Sequence, residues 1–473
     1  MRFTKSGATA LAVGAAVTTS FLSTAAPAAR ADEAALREEM TRRLAEMEAR
    51  HRKEIDDLRR EFAATRDAAV SQPSAPSPSP SPPAPTALQE QIDRLADDVD
   101  AMKSKLPASA APKGAFRLMD LSFNTLVTAG ASTAPEDVIQ TLQAGGHDPK
   151  KRGFTLPNVE LTLSGAVDPY FTAQANVVTL LSPEGETEVE LEEAWAATTA
   201  LPAGFQIKAG QFFAQFGRHN PQHAHAWDFV DVPVVSGRIL GGDGMRGPGV
   251  QASWLGPGAL PVELTAALQN ANGETMTSFL SEEPPVGAPA TRSVRTFQDV
   301  TATARAALSF DATDEIPLLF GVSAASGPSG ASDSGDARIL GADVTAKWKP
   351  LDAHAGFPFV SFRAEWIGRH FEYDTPGGLA QLEDSGWYAQ TTWGFARDWT
   401  IGARYDRFGG TDDTVPGLDD RSRWSAALTF HTSEFAKIRL QVNRDRADAL
   451  DDDVTSVWLQ FEFNLGTHGA HKF

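Results

Sequence analysis

From residue 116 onward, apolar and polar side chains alternate along the chain, and this period of two narrows the possible folds more than any other property of the sequence. The runs at 358–371 and 454–465 are clear examples: aliphatic and aromatic residues occupy one face, and charged or amide residues occupy the other. A soluble β-sandwich also alternates, but its core cannot hold charges in mid-strand without partners. Aromatic residues at the ends of the apolar faces are typical of strands that cross a bilayer. The pattern therefore favours a transmembrane barrel with a polar interior.

The number and spacing of these runs predict an all-β fold, an antiparallel transmembrane β-barrel of about 16 strands with a water-filled channel. If both chain ends lie in the periplasm, links from odd to even strands are external and long, and the others are short. We expect long external links at 128–152, 215–246, 271–298, 372–384 and 409–421. The predicted strands are 116–127, 153–165, 169–181, 187–199, 204–214, 247–255, 261–270, 299–310, 316–326, 338–349, 358–371, 385–396, 398–408, 422–432, 434–446 and 454–465.

The residues before the barrel have a different composition. Residues 1–31 combine a basic start, a short apolar run and Ala29-Arg30-Ala31, which is the pattern of a cleaved signal peptide. Apolar spacings of three and four predict a periplasmic α-helical coiled coil over 32–69, and a short heptad pattern predicts a second over 88–106. Segments 70–87, rich in Pro and Ser, and 107–115 are then linkers, and 116–473 is the barrel. Short charged helices gain little alone, so we expect this region to oligomerise.

Composition excludes several classes of function. The chain has no cysteine, so it has no disulfide framework, thiolate metal site or cysteine nucleophile. The net charge of −19 argues against nucleic acid as a partner, because phosphate binding needs a clustered basic face. The chain has no nucleophile elbow, and His431 beside Ser433 falls at a predicted periplasmic turn, so we expect no enzyme activity and no cofactor.

The third external link, 215–246, is about 32 residues long and contains five glycines, which is more than a surface turn needs. In porins a long third loop folds inward, and charged side chains at the resulting constriction decide which ions pass. A metal site at His223-Ala224-His225 with His219 and Asp228 is an alternative, but the spacing is loose, and we expect no metal. The predicted constriction residues are Arg218, His219, His223, His225, Asp228, Asp231, Arg238, Asp243 and Arg246.

Inward strand positions carry more bases than acids, which favours an anion-tolerant lumen. Acidic external segments such as 451–453 would instead attract cations to the mouth, so the sign of selectivity stays open. These acids are also suited to binding divalent ions that bridge lipopolysaccharide. The predicted lumen residues are Lys208, Arg305, Lys347, Arg363, Glu365, Arg404, Asp406, Lys437 and Arg439.

The segment Lys208-Ala209-Gly210-Gln211-Phe212, followed by Phe216-Gly217, resembles the KAGxF…FG strand and loop start of the phosphate-selective porin O and P family. This resemblance implies a homotrimer in the outer membrane of a Gram-negative bacterium, in contact with lipid and lipopolysaccharide. It also implies an N-terminal coiled coil, as in related trimeric porins, and basic lumen residues that bind small anions such as phosphate.

Three functions are consistent with the sequence. The first is a porin for passive diffusion of small solutes. The second is an energised (TonB-type) barrel for metal or chelate uptake, although that class needs a large plug and about 22 strands. The third is an envelope tether, in which the coiled coil contacts peptidoglycan. The tether role is compatible with a pore.

Overall fold

The computed structural model describes residues 119–466, except 259, 272, 274, 355 and 412–416. The predicted signal peptide, both predicted coiled-coil segments and the linkers lie outside the described residues. Within the described part, the two α-helices are α1 (Glu136–Leu142) and α2 (Val234–Leu240), each of seven residues. No helix there is long and apolar enough to cross a membrane.

Sixteen antiparallel strands form one closed barrel, which confirms the predicted fold and strand number. Each strand pairs with its neighbours in sequence, and β1 pairs with β16 from Ser122↔Gly466 to Ser132↔Ser456. Closure leaves no unpaired sheet edge. The strands are β1 (Asp120–Ser132), β2 (Gly153–Ala166), β3 (Phe171–Leu181), β4 (Thr187–Thr198), β5 (Phe205–Phe213), β6 (Arg246–Leu255), β7 (Val262–Gln269), β8 (Thr301–Thr313), β9 (Ile316–Pro328), β10 (Asp336–Trp348), β11 (Phe359–Thr375), β12 (Gly378–Ala396), β13 (Trp399–Gly409), β14 (Arg421–Ser433), β15 (Ala436–Ala447) and β16 (Val454–Gly466).

The two faces of the barrel wall differ as the alternation predicts. On β15, the apolar side chains of Leu440 and Val442 are 44 % and 41 % exposed on the outside, whereas Gln441 and Asn443 are fully buried inside. Because side chains alternate along a strand, the neighbours of the outward apolar residues point into the interior, and on β15 these neighbours are polar. The interior therefore holds charges that need partners.

The connections differ at the two ends of the barrel, which we call the loop end and the turn end. At the turn end, even strands join the next odd strand through short links such as 314–315, 397–398 and 434–435. The loop end carries loop 1 (133–152), loop 3 (214–245) and loop 4 (270–300).

One predicted link is wrong. Residues 372–384 do not form a long external loop, because β11 and β12 continue pairing to Thr375↔Gly378. Their inner faces explain the extension: Phe371 and Leu382 pair across the strands and are buried in an apolar cluster inside the barrel. Burying those side chains stabilises paired strands beyond the predicted boundary.

Loop 3 folds into the barrel and changes its interior. Val235, Ile239 and Leu240 of α2 pack in the same buried cluster as Phe371 and Phe408 on the wall. Loop 1 forms a second cluster, in which Ile139 and Leu142 of α1 pack near Trp458. The sequence predicts water throughout the channel, but these loops fill part of the loop-end interior with apolar side chains. The reason is that the loops carry their own apolar faces, which gain free energy when buried.

A substitution on the exposed apolar exterior tests whether this face of the barrel contacts lipid. Leu440→Arg places a charge on the outer wall at mid-strand, and we expect it to lower the free energy of unfolding in lipid bilayers by about 2–4 kcal/mol. Denaturant titration of the protein in bilayers measures this value. Leu440→Phe is the control, since it keeps the exterior apolar. Equal stabilities of Leu440→Arg and wild type would contradict the assignment of this face to lipid.

Candidate functional site

Only glycine fits at two positions, one in the strand that leads into loop 3 and one in the first turn of the loop. A Cβ atom on Gly210, in β5, would lie 2.1 Å from the carbonyl oxygen of Ala194, and Gly210 has φ of +131°. Gly217, with φ of +60°, lies against the Glu365 carboxylate, where a Cβ would meet Oε1 at 1.5 Å. The Gly217 amide donates to Ser323 Oγ at 3.0 Å. These glycines let the loop turn into the lumen close to the opposite wall.

Glu365 on β11 fixes the first turn of loop 3. Its carboxylate accepts the backbone N–H groups of Arg218 and His219, both at 3.3 Å, and the hydroxyl of Tyr388 at 3.1 Å. Glu365 is 2 % exposed, so these donors replace the water that the carboxylate loses on burial. The loop is therefore attached to the wall through its own backbone.

Asp231 is the main anchor in the middle of loop 3. Its carboxylate accepts from Arg404 at 2.6 Å and from Arg423 at 2.9 Å, and from the amides of Gln441 at 3.0 Å and Asn443 at 2.5 Å. Burial raises the pKa of Asp231, but the two guanidinium groups and these hydrogen bonds outweigh it and lower the pKa from 3.8 to about 2. The anchor therefore stays ionised over the whole physiological range.

One of these arginines, Arg423, also holds loop 1, together with Arg421. Arg421 and Arg423 both donate to Asp445, at 2.6 and 2.8 Å, and to the carbonyl oxygen of Leu142 at the end of α1, at 2.5 and 2.9 Å. A helix end leaves carbonyl oxygens without partners, and these guanidinium groups supply donors. The backbone N–H of Val232 donates to Asp148 of loop 1 at 3.0 Å, so the two loops and the wall form one network.

A second cluster lies on another part of the wall, formed by β2 and β4, where His223 of loop 3 meets three glutamates. His223 Nδ1 is 2.6 Å from Glu192 and 3.3 Å from Glu160, and Nε2 is 3.1 Å from Glu193. Burial lowers the pKa of His223, but the carboxylates of Glu192 and Glu160 outweigh it and hold the pKa well above 6.5. Because both ring nitrogens face carboxylates, His223 is an imidazolium that donates two hydrogen bonds.

A β-bulge explains why adjacent glutamates both enter the lumen. Asn176 pairs with Glu193, but Val177 pairs with Leu191, so Glu192 is an extra residue in β4. A bulge re-aims the side chains beside it. Glu192 and Glu193 are both buried, although strict alternation would put one of them outside.

His219 behaves differently from the other loop 3 histidines. Its ring lies 5.4 Å from Trp227 and 6.5 Å from Tyr388, and it is buried. Burial, together with the positive charges of Arg363 and Arg404, holds the pKa of His219 well below 6.5. His219 is therefore a neutral packing residue at neutral pH.

The structure places the other predicted constriction residues along loop 3, each with its own contacts. Asp228 accepts from Gln390 at 2.8 Å, and Arg238 of α2 pairs with Asp419 at 2.7 Å. His225 lies 2.8 Å from Glu160. Arg218 lies near the start of loop 3 and Asp243 near its end, and Arg246, the first residue of β6, pairs with Glu190.

The predicted lumen residues occupy several strands of the wall. Arg305 pairs with Asp343 at 2.5 and 2.9 Å, and Lys437 pairs with Glu462 at 2.8 Å. Arg404 pairs with Asp406 at 2.8 Å in addition to Asp231. The others contact loop 3 or aromatic rings: Arg363 donates to Gln222, Arg439 donates to the Trp227 carbonyl, Lys208 lies over Trp195, and Lys347 lies over Phe359.

The structure does not bring together the four residues of the alternative metal site in loop 3. His223 and His225 stack at 5.7 Å, but His219 packs on Trp227 and Asp228 faces Gln390. These four side chains therefore lie in three different environments inside the barrel.

Sequence reasoning missed the partners of the histidines: Glu160, Glu192 and Glu193 on the wall and His147 in loop 1. Alternation of Asn158, Glu160 and Thr162 with apolar residues could have placed Glu160 in the lumen. The adjacent pair Glu192-Glu193 breaks the alternation and is a signal of a bulge. Nothing in the spacing of loop 1 indicates that His147 approaches β4.

Comparisons with known proteins bear on the fold of the chain. No family model matches the chain. The outer membrane channel DcaP of Acinetobacter baumannii is 12 % identical with a TM-score of 0.50, and the match covers 73 % of this chain and 97 % of that one. An anion-selective porin from Comamonas acidovorans is 8 % identical with a TM-score of 0.46, covering 73 % and 99 %.

At such identities the likeness to DcaP shows the fold, and the chain is a 16-stranded barrel of the porin type. In sequence it is 33 % identical over 359 residues to a protein of Aquifex aeolicus (strain VF5) described as "Uncharacterized protein", covering 70 % of this chain and 73 % of that relative. The chain belongs to the same family as that Aquifex protein.

The Asp231 anchor generates a stability prediction. Asp231→Ala leaves Arg404 and Arg423 buried without their shared carboxylate, and we expect the free energy of unfolding to fall by about 3–5 kcal/mol. Urea titration in detergent micelles measures it. The matched control is Asp453→Ala, whose partner Arg444 is 66 % exposed, and it should cost less than about 1 kcal/mol. Similar losses of unfolding free energy in the two variants would contradict the role of Asp231 as the anchor of loop 3.

His219 generates a prediction of pH dependence. Below pH 6.5 the unfolded chain binds a proton at this residue, whereas the folded protein, whose His219 pKa is lowered, does not. Its contribution is therefore lost as pH falls, by about 2 kcal/mol between pH 7 and pH 5. We expect the unfolding free energy of His219→Gln to fall less than that of wild type over this interval. Between pH 7 and 8 the two should run parallel, and parallel curves below pH 6.5 would refute the prediction.

Proposed function

We propose that the protein is a porin of a Gram-negative outer membrane that lets small solutes diffuse passively through its barrel. The observation that supports this best is loop 3, which enters the closed barrel and is held there by Asp231 between Arg404 and Arg423. A loop that only covered the surface would need no buried ion pairs inside the lumen. A fixed loop narrows the passage and sets which side chains a solute meets.

The solute that the lumen favours is a small anion such as phosphate. Acids of β2 and β4 already contact His223, His225 and Arg246 of loop 3 and β6. Elsewhere on the wall, Arg363 is bound by the neutral amide of Gln222 at 3.0 Å, and Arg439 by Gln460 at 3.0 Å. With Arg404 and Arg423 they form a stretch of wall rich in guanidinium groups, whose field favours an anion. The KAGQF…FG resemblance to phosphate-selective porins supports the same preference.

The assembly that we propose is a homotrimer in contact with outer-membrane lipid and lipopolysaccharide. Its support is the apolar exterior of the barrel and the heptad pattern in the N-terminal segment. Export through the signal peptide, and contact of the coiled coil with peptidoglycan, are part of the same proposal. Energised chelate uptake is not favoured, since the barrel has 16 strands and that class has about 22.

Conductance measurements test the proposed function. In planar bilayers with a salt gradient, we expect stepwise channel insertion and a reversal potential that indicates preference for the anion. Arg363→Gln should reduce the anion-to-cation permeability ratio roughly threefold, because a unit charge about 6 Å from a permeating ion contributes about 0.7 kcal/mol in water. The same reversal-potential measurement with phosphate in place of chloride tests the preference for phosphate.

The matched control is Arg444→Gln, which removes an arginine from the exposed pair with Asp453. Its permeability ratio should equal that of wild type at high salt, where exposed charges are screened. Absence of channel insertion would refute the porin proposal. A cation-directed reversal potential in wild type would refute the anion preference alone.

A further inference from the structure

A second histidine, His147 of loop 1, points into a group of carboxylates that the proposed function does not use. His147 is 5 % exposed, and its Nδ1 lies 3.1 Å from the carbonyl oxygen of Pro157. A carbonyl only accepts, so Nδ1 carries the proton and donates. Nε2 is turned to the other side, where its contact is Glu192 Oε1 at 3.7 Å, too long for a hydrogen bond.

Three carboxylates converge on this side of the ring. His147, Glu190 and Asp243 offer ligand atoms that all lie within 4.8 Å of one another, and Glu192 is adjacent through the 3.7 Å contact. Asp243 Oδ1 is buried and has no hydrogen-bond partner. Arg246 is the guanidinium that pairs with Glu190. Glu192 is already bonded to His223, and Glu190 and Asp243 lie beside one arginine, so two carboxylates and a single guanidinium face a ring nitrogen that offers a lone pair.

The neighbouring triad of Glu160, Glu192 and His223 is different in kind. Both ring nitrogens of His223 already face carboxylates at hydrogen-bond distance, so the two N–H groups of the imidazolium bond these carboxylates without a metal ion. At His147, acceptor atoms face one another across a gap instead. An acceptor pair of this sort is stabilised when a cation lies between the two atoms.

We propose that His147, Glu190 and Asp243, with Glu192 beside them, bind a divalent transition-metal ion of the Zn²⁺ class. Imidazole and carboxylate donors suit such ions, and a metal-binding histidine characteristically donates its other ring N–H to a carbonyl, as His147 does to Pro157. Bonds of about 2.1 Å place ligand atoms about 3.4 Å apart in a tetrahedral site, so small side-chain rotations bring the donors within range.

The surroundings provide space and a route. A cavity of about 30 Å³ is lined by His147, Glu192 and Asp243, and a larger one of about 190 Å³ is lined by Glu188, Glu190 and Asp243. Asp243 borders both cavities. The smaller one is large enough for an ion or a water molecule. Gly146 makes room for the ligand, because a Cβ there would lie 1.9 Å from Asp243 Oδ1.

Such an ion would join three parts of the fold. His147 belongs to loop 1, Glu190 to β4, and Asp243 to the last turn of loop 3. These parts already meet through the hydrogen bond from the Gly146 amide to the Gly242 carbonyl at 2.9 Å. A bound ion would therefore stabilise the folded barrel, with loops 1 and 3 fixed to the wall.

Zn²⁺ titration of the full chain, folded in detergent and stripped of metal, tests the proposal by calorimetry and by metal analysis after dialysis. We expect about one Zn²⁺ per chain, a raised unfolding temperature, and visible d–d absorption when Co²⁺ replaces Zn²⁺. His147→Ala and Asp243→Asn should each weaken binding at least tenfold. Heat-modifiable gel migration shows whether each variant is folded, and the isosteric Asp243→Asn keeps the test valid if His147→Ala does not fold.

The matched control is His370→Ala, which removes another histidine beside two glutamates, Glu372 and Glu383, and should leave Zn²⁺ binding unchanged. Wild-type protein that binds no Zn²⁺, or variants at His147 and Asp243 that bind it as wild type does, would overturn the proposal. Binding lost in His223→Ala but kept in His147→Ala would also overturn it, since the ion would then belong to the other triad. None of these outcomes depends on whether the barrel conducts.

Discussion

The buried ion pairs of Asp231 with Arg404 and Arg423 decide how the inside of this barrel is organised. A charge moved out of water costs several kcal/mol unless a partner and hydrogen bonds replace the lost solvation. Here a carboxylate from a loop is placed between guanidinium groups from two different strands, with two amide donors completing its shell. The arrangement is satisfied only when loop 3 is inside, so the loop position and the wall charges depend on one another.

The outer and inner faces place different demands on the sequence, and this determines how much of the fold could be predicted. Strand number, antiparallel order and most boundaries follow from the period of two, because lipid and lumen impose opposite polarities on adjacent residues. The prediction was wrong at 372–384, where Phe371 and Leu382 are buried by α2 rather than by lipid. Their partner comes from loop 3, about 130 residues away in sequence, and no local pattern reveals it.

The candidate site, like the fold, could be predicted only in part. The length and glycine content of 215–246 predict a loop that turns inward, and its charged residues do lie within the barrel. Which residue each one contacts could not be predicted, because contacts across a barrel depend on strand stagger, and on bulges such as the one at Glu192. His219 illustrates the difference: in sequence it resembles His223, yet one packs on Trp227 and the other donates to glutamates.

The two clusters, on separate parts of the barrel wall, give the lumen an asymmetric field. On the β13–β15 side, guanidinium groups surround the single loop carboxylate of Asp231, whereas on the β2–β4 side glutamates surround the imidazolium of His223. Loop 3 thus presents an anion to the basic wall and a cation to the acidic wall. This complementarity favours the observed orientation of the loop, since turning it over would place like charges together. A porin-type barrel can therefore hold a long loop in one position inside a polar lumen when the charges of the loop match those of the wall at two places. The apolar packing of α2 then stabilises the loop in the orientation that these charges favour.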